Sequence, residues 1–237
     1  MCKSKFFFTF ANDKENILIT MPKNIGKQEI KSPYSAAFTA ASMMHREMTA
    51  IIPLMMDENA EVLLKQEIEE NKLLCINSLS SRKRVVSEFQ RRFNAVPRGF
   101  WEHYMTMGEQ AQRVALLYVM LKTYQLLFDI HICVTLNLWR SASGELQGSD
   151  VMLYLNELAS QDSFVDSWSE STRKKVVTVY VLTLHQAGLM KDGSAALCQP
   201  DLRDDEWIYY IRMGEAWFLE ACFLPTYRVN ELKQKAK

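Results

Sequence analysis

Apolar and small residues recur at helical spacing through SAAFTAASMMHREMTAIIPLMM, and the pattern predicts one helix from Ser35 to Met56 with Pro53 as its kink point. Asp57 to Asn71 predicts a second, acidic helix with Val62, Leu63, Gln66 and Ile68 as a mixed face. LLCIN then leads through Ser78-Leu-Ser-Ser into the helix RKRVVSEFQRRF, and Phe100 to Met105 reads as a short aromatic turn or helix. Gly108 to Trp139 reads as two long helices, apolar nearly all round, which is how central core elements look. After RSASGELQG the pattern gives a helix near Ser149 to Ser160, a loop around QDSFVDSW, and the stretch ESTRKKVVTVYVLTLHQAGLM. Short strands are predicted around Leu189–Met190 or Ala196–Leu197 and at EWIYYI, Glu206 to Ile211, before a helix at Glu215 to Leu224 and a basic tail.

These elements predict a mainly α, multi-helix globular protein with helix-turn-helix elements and a C-terminal winged-helix-like module carrying a short β-hairpin. Arg140 to Gly148 is the best linker. It divides the chain into an N-terminal extension (1–33), a helical domain (34–140) with a basic helix-turn-helix-like segment, and a winged-helix-like domain with its tail (141–237).

Composition sharpens this picture in three places. Only 8 Gly and 6 Pro in 237 residues fit long helices rather than an all-β chain, and 48% hydrophobic residues allow a sizeable core. Basic and acidic residues balance at 28 each, so attraction to a polyanion has to come from local patches; charge alone marks a DNA-binding domain only above a pI of about 9. Cys2, Cys75, Cys133, Cys198 and Cys222 lack metal-ligand spacing and read as reduced, mostly buried thiols of a cytoplasmic protein. At the start of the chain, Phe6 to Phe10 is too short for a signal-peptide core, and Met21 is a second candidate start. Lys122, Asp129 and His131 interrupt the most apolar region, so no run of about 18 uncharged apolar residues exists and no membrane insertion is expected.

In ESTRKKVVTVYVLTLHQAGLM, Val176, Tyr180, Leu184 and Ala187 share one side of the helix, with Val177 and Val181 on its shoulder. Ser171, Lys174, Lys175, Thr178, Leu182 and His185 gather opposite. Cations and short hydroxyls near a helix start can reach phosphates and base edges, so Ser171, Thr172, Arg173, Lys174, Lys175 and Thr178 are candidate DNA-binding residues. Two N-caps compete, Ser169 and the capping box of Ser167 with Glu170, and Gly188 suits a left-handed stop. Leu189–Met190, a Lys-Asp-Gly turn and EWIYYI would then form the wing. Its acids (Asp201, Asp204, Asp205 and Glu206, against Arg203) would repel phosphate.

A second basic helix lies between Arg82 and Arg98, where six cations face one acid, Glu88. Val86, Phe89 and Phe93 face inward, Arg84, Ser87 and Arg91 outward, and Ser80 or Ser81 can cap the start. Arg82, Lys83, Arg84, Ser87, Arg91 and Arg92 are candidates to grip a phosphate backbone; the competing use of these arginines is pairing with neighbouring glutamates. Catalytic patterns are missing: no GxSxG, HExxH, GxGxxG or phosphate loop occurs, and His45, His103, His131 and His185 fall on separate predicted helices. No enzyme activity, metal or cofactor is expected.

Three motifs in order resemble the BrxA component of bacterial BREX (bacteriophage exclusion) phage-defence systems, a family once labelled as inner-membrane proteins. They are Tyr34-Ser35-x-x-Phe38-Thr39 with Glu47; Asn71-x-Leu73 followed by Ser80-Ser81-x-Lys83-Arg84 and Glu88; and Ser171-Thr172-Arg173-Lys174-Lys175 ending in Ala187-Gly188-Leu189. The resemblance runs from about Tyr34 to Gly193. It implies a mostly helical protein that binds DNA beside the system's methyltransferase, ATPase and other components. The expected partners are therefore double-stranded DNA, bound weakly and nonspecifically by a monomer, and other BREX components. The rival reading is a protein–protein adaptor that does not touch DNA, for which the thirteen methionines and FWEHYMTM supply adaptable contacts.

Overall fold

The most apolar segment of the chain occupies the centre of the molecule. In this computed structural model, which describes residues 32–141 and 143–237, Val114 to Leu121 are all buried. Phe6 to Phe10, Cys2 and Met21 lie outside the described residues. Helix α1 is His45–Met56, α2 Ala60–Glu70, α3 Leu79–Phe93, α4 Arg98–Tyr104 and α5 Glu109–Thr123. Gln125–Ile130 (α6), a π-helical turn His131–Thr135 and Leu136–Arg140 (α7) continue as one rod, bent 110° from α5. Then come α8 Gly148–Ala159, α9 Ser163–Asp166, α10 Glu170–Gln186, α11 Asp204–Arg212, α12 Trp217–Ala221 and α13 Thr226–Lys235. Helices α1, α2 and α3 pack on one another, and α1 and α3 on α5; α8 packs between α9 and α10, and α10 also touches α5; α11, α12 and α13 pack together.

Ser32–Lys237 is one compact unit, and its hydrophobic core runs across Arg140–Gly148 without a break. No single helix among the described residues is long and apolar enough to cross a membrane. Cys222 is buried, but Cys75 and Cys133 are exposed, so the expectation of mostly buried thiols does not hold.

Three local expectations are corrected. The helix predicted from Ser35 to Met56 is broken: a 3-10 turn, Ala37–Ala40, precedes a left-handed Met44 at φ 47°. The cause is Arg92, whose guanidinium donates to the carbonyls of Ala41, Ser42 and Met43, groups a continuous helix would bond internally. EWIYYI is the helix α11, not a strand. Asp204, Asp205 and Glu206 fill its first turn, where acids complement the helix dipole, and Trp207 and Tyr210 are buried three residues apart. The basic tail is the helix α13, with Arg228 and Lys235 paired to Asp204 and Glu231.

Extended structure among the described residues is confined to two isolated antiparallel bridges, Met190↔Leu197 and Glu145↔Ala196. Gly188 stops α10 at φ +75°, as its sequence position suggests, with the Leu189 amide donating back to the Leu184 carbonyl at 2.9 Å. A side chain at Gly188 would collide with Gln110, whose amide donates to the Ala187 carbonyl.

Candidate nucleic-acid interface

Helix α3 starts at Ser78, which accepts from the Ser81 amide at 3.4 Å, so neither Ser80 nor Ser81 is the N-cap. Val85, Val86 and Phe89 are buried, leaving Arg84, Ser87 and Arg91 on the exposed side as the wheel predicts, with Lys83 exposed beside them. Arg84, Ser87 and Arg91 follow one line at i, i+3, i+7. Arg91 approaches Glu88 only to 3.7 Å, and Lys83 and Arg84 form no ion pair among the described residues.

Arg82 and Arg92 do not belong to this face. Arg92 is 0% exposed: besides the three carbonyls, its Nε donates to the Tyr124 hydroxyl at 3.1 Å, and Tyr124 donates to Glu88 at 2.8 Å. Arg82 is 9% exposed and donates to the carbonyls of Ile68, Ile76 (2.7 Å) and Asn77 (3.1 Å), tying the end of α2 to α3. Both guanidiniums serve the fold, so neither can grip phosphate. On the wheel both fall on the inward arc, Arg82 four and seven residues before Val86 and Phe89, and Arg92 three after Phe89.

Helix α10 is capped by Ser169, which accepts from the Thr172 amide at 3.2 Å; the Ser167 hydroxyl instead donates to the Phe164 carbonyl. Val176, Tyr180, Leu184 and Ala187 are buried, and Ser171, Lys174, Lys175, Thr178 and Leu182 are exposed. Thr172 is half-buried with its hydroxyl 2.9 Å from Ser169, and the Thr178 hydroxyl donates to the Lys174 carbonyl. Arg173 is a strut: it donates to Asn156 Oδ1 at 3.1 Å and to the Asp166 carbonyl at 3.0 Å, holding α10 against α8 and α9. Lys174 donates to Glu170 at 2.7 Å and holds that exposed carboxyl below its usual range. Lys175 forms no ion pair among the described residues.

The turn after α10 adds a cation that sequence pattern marks only as a turn residue. Lys191 is exposed beside Gly193 (φ +66°), and its amide donates to the Ala196 carbonyl at 2.9 Å across the turn. The acids expected on the wing sit in and before α11 instead.

His45, His103 and His131 are engaged in packing. His45 meets Gln112 at 3.0 Å, and His103 stacks on Tyr209 at 3.8 Å between ring centroids. His131 is fully buried, 2.8 Å from the Ala221 carbonyl through Nε2 and 2.9 Å from the Tyr180 hydroxyl through Nδ1. A carbonyl only accepts, so Nε2 carries the proton; Tyr180 donates to Nδ1, and Thr135 at 2.6 Å donates to Tyr180. Burial, opposed by the Ala221 bond, lowers the His131 pKa to about 4. The described residues hold no group of three or more His, Cys, Asp or Glu arranged for a metal.

The class these features define is a mainly helical protein that presents short cationic faces on helices fixed from behind by inward-pointing arginines. A family model described as BrxA matches residues 32–212, and the chain belongs to that family, which places it in BREX phage defence. The crystal structure of an uncharacterized protein from Magnetospirillum magneticum is similar in fold, with a TM-score of 0.68 over 81% of this chain and 98% of that one at 21% identity. No curated protein matches the chain.

Proposed function

We propose that this protein is a non-enzymatic, double-stranded-DNA-binding accessory component of a bacterial BREX system, working in the cytoplasm as a monomer beside other BREX components. The observation that carries this reading is the set of outward cations on rigidly held helices: Lys83, Arg84 and Arg91 on α3, Lys174 and Lys175 on α10. The order α8, α9, α10, bridge at Met190, turn, bridge at Leu197, with Glu145 alongside Ala196, supports a minimal winged-helix arrangement. In it α10 approaches the groove and Lys191 sits on the wing. With Asp201, Asp204, Asp205 and Glu206 held in and before α11, the acid left on this turn is Asp192, next to Lys191, so the electrostatic objection to such an approach is reduced to one carboxylate against one ammonium.

The test is fluorescence anisotropy with random duplex DNA across a salt series. Wild type should bind weakly with an affinity that falls steeply with salt. Lys83→Ala/Arg84→Ala and Lys174→Ala/Lys175→Ala should each flatten the log–log slope by roughly one to two units, about one for each phosphate no longer neutralised. No binding at low salt would favour the adaptor reading. That alternative rests on Leu153, Phe164 and Leu182, which expose apolar surface on α8, α9 and α10.

A further inference from the structure

Between the α3–α4 connection and α11 a cavity of about 430 Å³ opens to solvent. Phe100 and Tyr118 lie beneath it, their ring centroids 5.4 Å apart and only 2% and 1% exposed, and the aromatic surface that reaches the cavity is part-exposed Tyr209 at its wall, 6.3 Å from Phe100. His103 covers one face of the Tyr209 ring and fixes its plane. Lys122 and Glu215 provide the polar rim and are joined at 2.8 Å. Glu215 also accepts from the Trp217 indole and from Tyr118, so its carboxylate is held in one orientation. Gly99 completes the lining, and a Cβ there would meet nothing within 4 Å.

The chemistry of the lining selects among occupants. The volume suits a single ring system, at the small end of ordinary ligand sites. Because Lys122 and Glu215 neutralise each other, no unmatched charge calls for an ionic ligand. The rim offers one ammonium donor and one carboxylate acceptor above an aromatic wall. A flat, neutral ring with both acceptor and donor atoms on its edge satisfies all three, and among biological rings this describes a nucleobase. We propose that this cavity binds a nucleobase, separately from the cationic faces of α3 and α10.

The test is saturation-transfer NMR on the full chain with adenosine, guanosine, a single-stranded oligodeoxynucleotide and N-acetylarginine amide as probes. Gly99→Leu should fill the cavity without strain, and Gly99→Ser should leave room; thermal melts confirm that both fold. Transfer to base protons is expected from wild type and Gly99→Ser and should vanish in Gly99→Leu. Transfer to free nucleosides would identify a mononucleotide source; transfer only to the oligonucleotide, absent in Gly99→Leu, would identify an exposed strand. The proposal is overturned if wild type gives no transfer to any base, if Gly99→Leu gives as much as wild type, or if the arginine amide binds and the bases do not. Duplex affinity in Gly99→Leu should match wild type, so this site and the duplex-binding faces stand or fall separately.

Discussion

A guanidinium without accessible surface has to place its N–H groups on acceptors inside the protein, and Arg92 places them on three carbonyls and Tyr124. Arg92→Met should therefore cost about 3–5 kcal/mol in urea unfolding, since those three carbonyls and the Tyr124 hydroxyl lose their donor in a dry site. Arg84→Ala, at an exposed position eight residues away, should stay within about 0.5 kcal/mol of wild type. Equal stability of the two variants would show that the 41–43 break does not depend on Arg92. His131 gives a pH-dependent counterpart. Its folded pKa, about 4, lies below the ordinary 6.5, so the unfolded chain binds the extra proton between those values. Stability from this site is complete above pH 6.5 and is lost as pH falls towards 4, with a slope of about 1.4 kcal/mol per pH unit within the window. His131→Gln keeps a donor and an acceptor but does not titrate, so its stability–pH curve should be flatter there; an unchanged slope would assign the acid sensitivity elsewhere.

At the scale of elements, the stop of α10 makes a specific demand. Gly188→Ala should destabilise by about 1–2 kcal/mol, because the left-handed backbone and the nearby Gln110 amide both oppose a Cβ. Ser169→Ala, which removes the cap at the other end, should cost about 1 kcal/mol; thermal melts read both, and a neutral Gly188→Ala would mean the stop can rearrange. The Gly188 stop is legible in the sequence, whereas Ser169 is there one of two competing caps; the inward and outward sides of α3 and α10 are legible because apolar periodicity reports directly on burial. Long-range bonding is not legible there. Arg92 acts on Ala41 to Met43, about fifty positions away, so the broken first helix leaves no local mark. EWIYYI misleads for a different reason: it is apolar or aromatic at nearly every position, so it lacks a clear period, and its branched and aromatic residues favour a strand. The acids before it are the available signal. Taken as the first turn of a helix instead of as wing residues, Asp204 to Glu206 point to α11.

Across the whole molecule, the division at residue 141 meets interactions that bind the two sides together. Tyr180 on α10 finds both its polar partners, His131 and Thr135, before the linker; Gln110 of α5 bonds the end of α10; Lys122 pairs with Glu215. The rings of Tyr118, Tyr210 and Phe218 interlock across the same boundary. A fragment of residues 141–237 would expose Tyr180, Leu184, Tyr210 and Phe218 and leave the Tyr180 hydroxyl without its two partners. Exposing four such side chains, at about 1.5–3 kcal/mol each, costs about 6–12 kcal/mol, as much as the whole stability typical of a domain of that size. The full chain should thus unfold in one calorimetric transition, while the fragment alone should bind an apolar dye and show poorly dispersed NMR signals. A fragment with sharp, native-like dispersion would make the C-terminal module an autonomous domain, and the cations of α10 would then be free to move relative to those of α3. A single transition instead fixes the two cationic faces to one rigid body, so any duplex that engages both has to fit their fixed spacing.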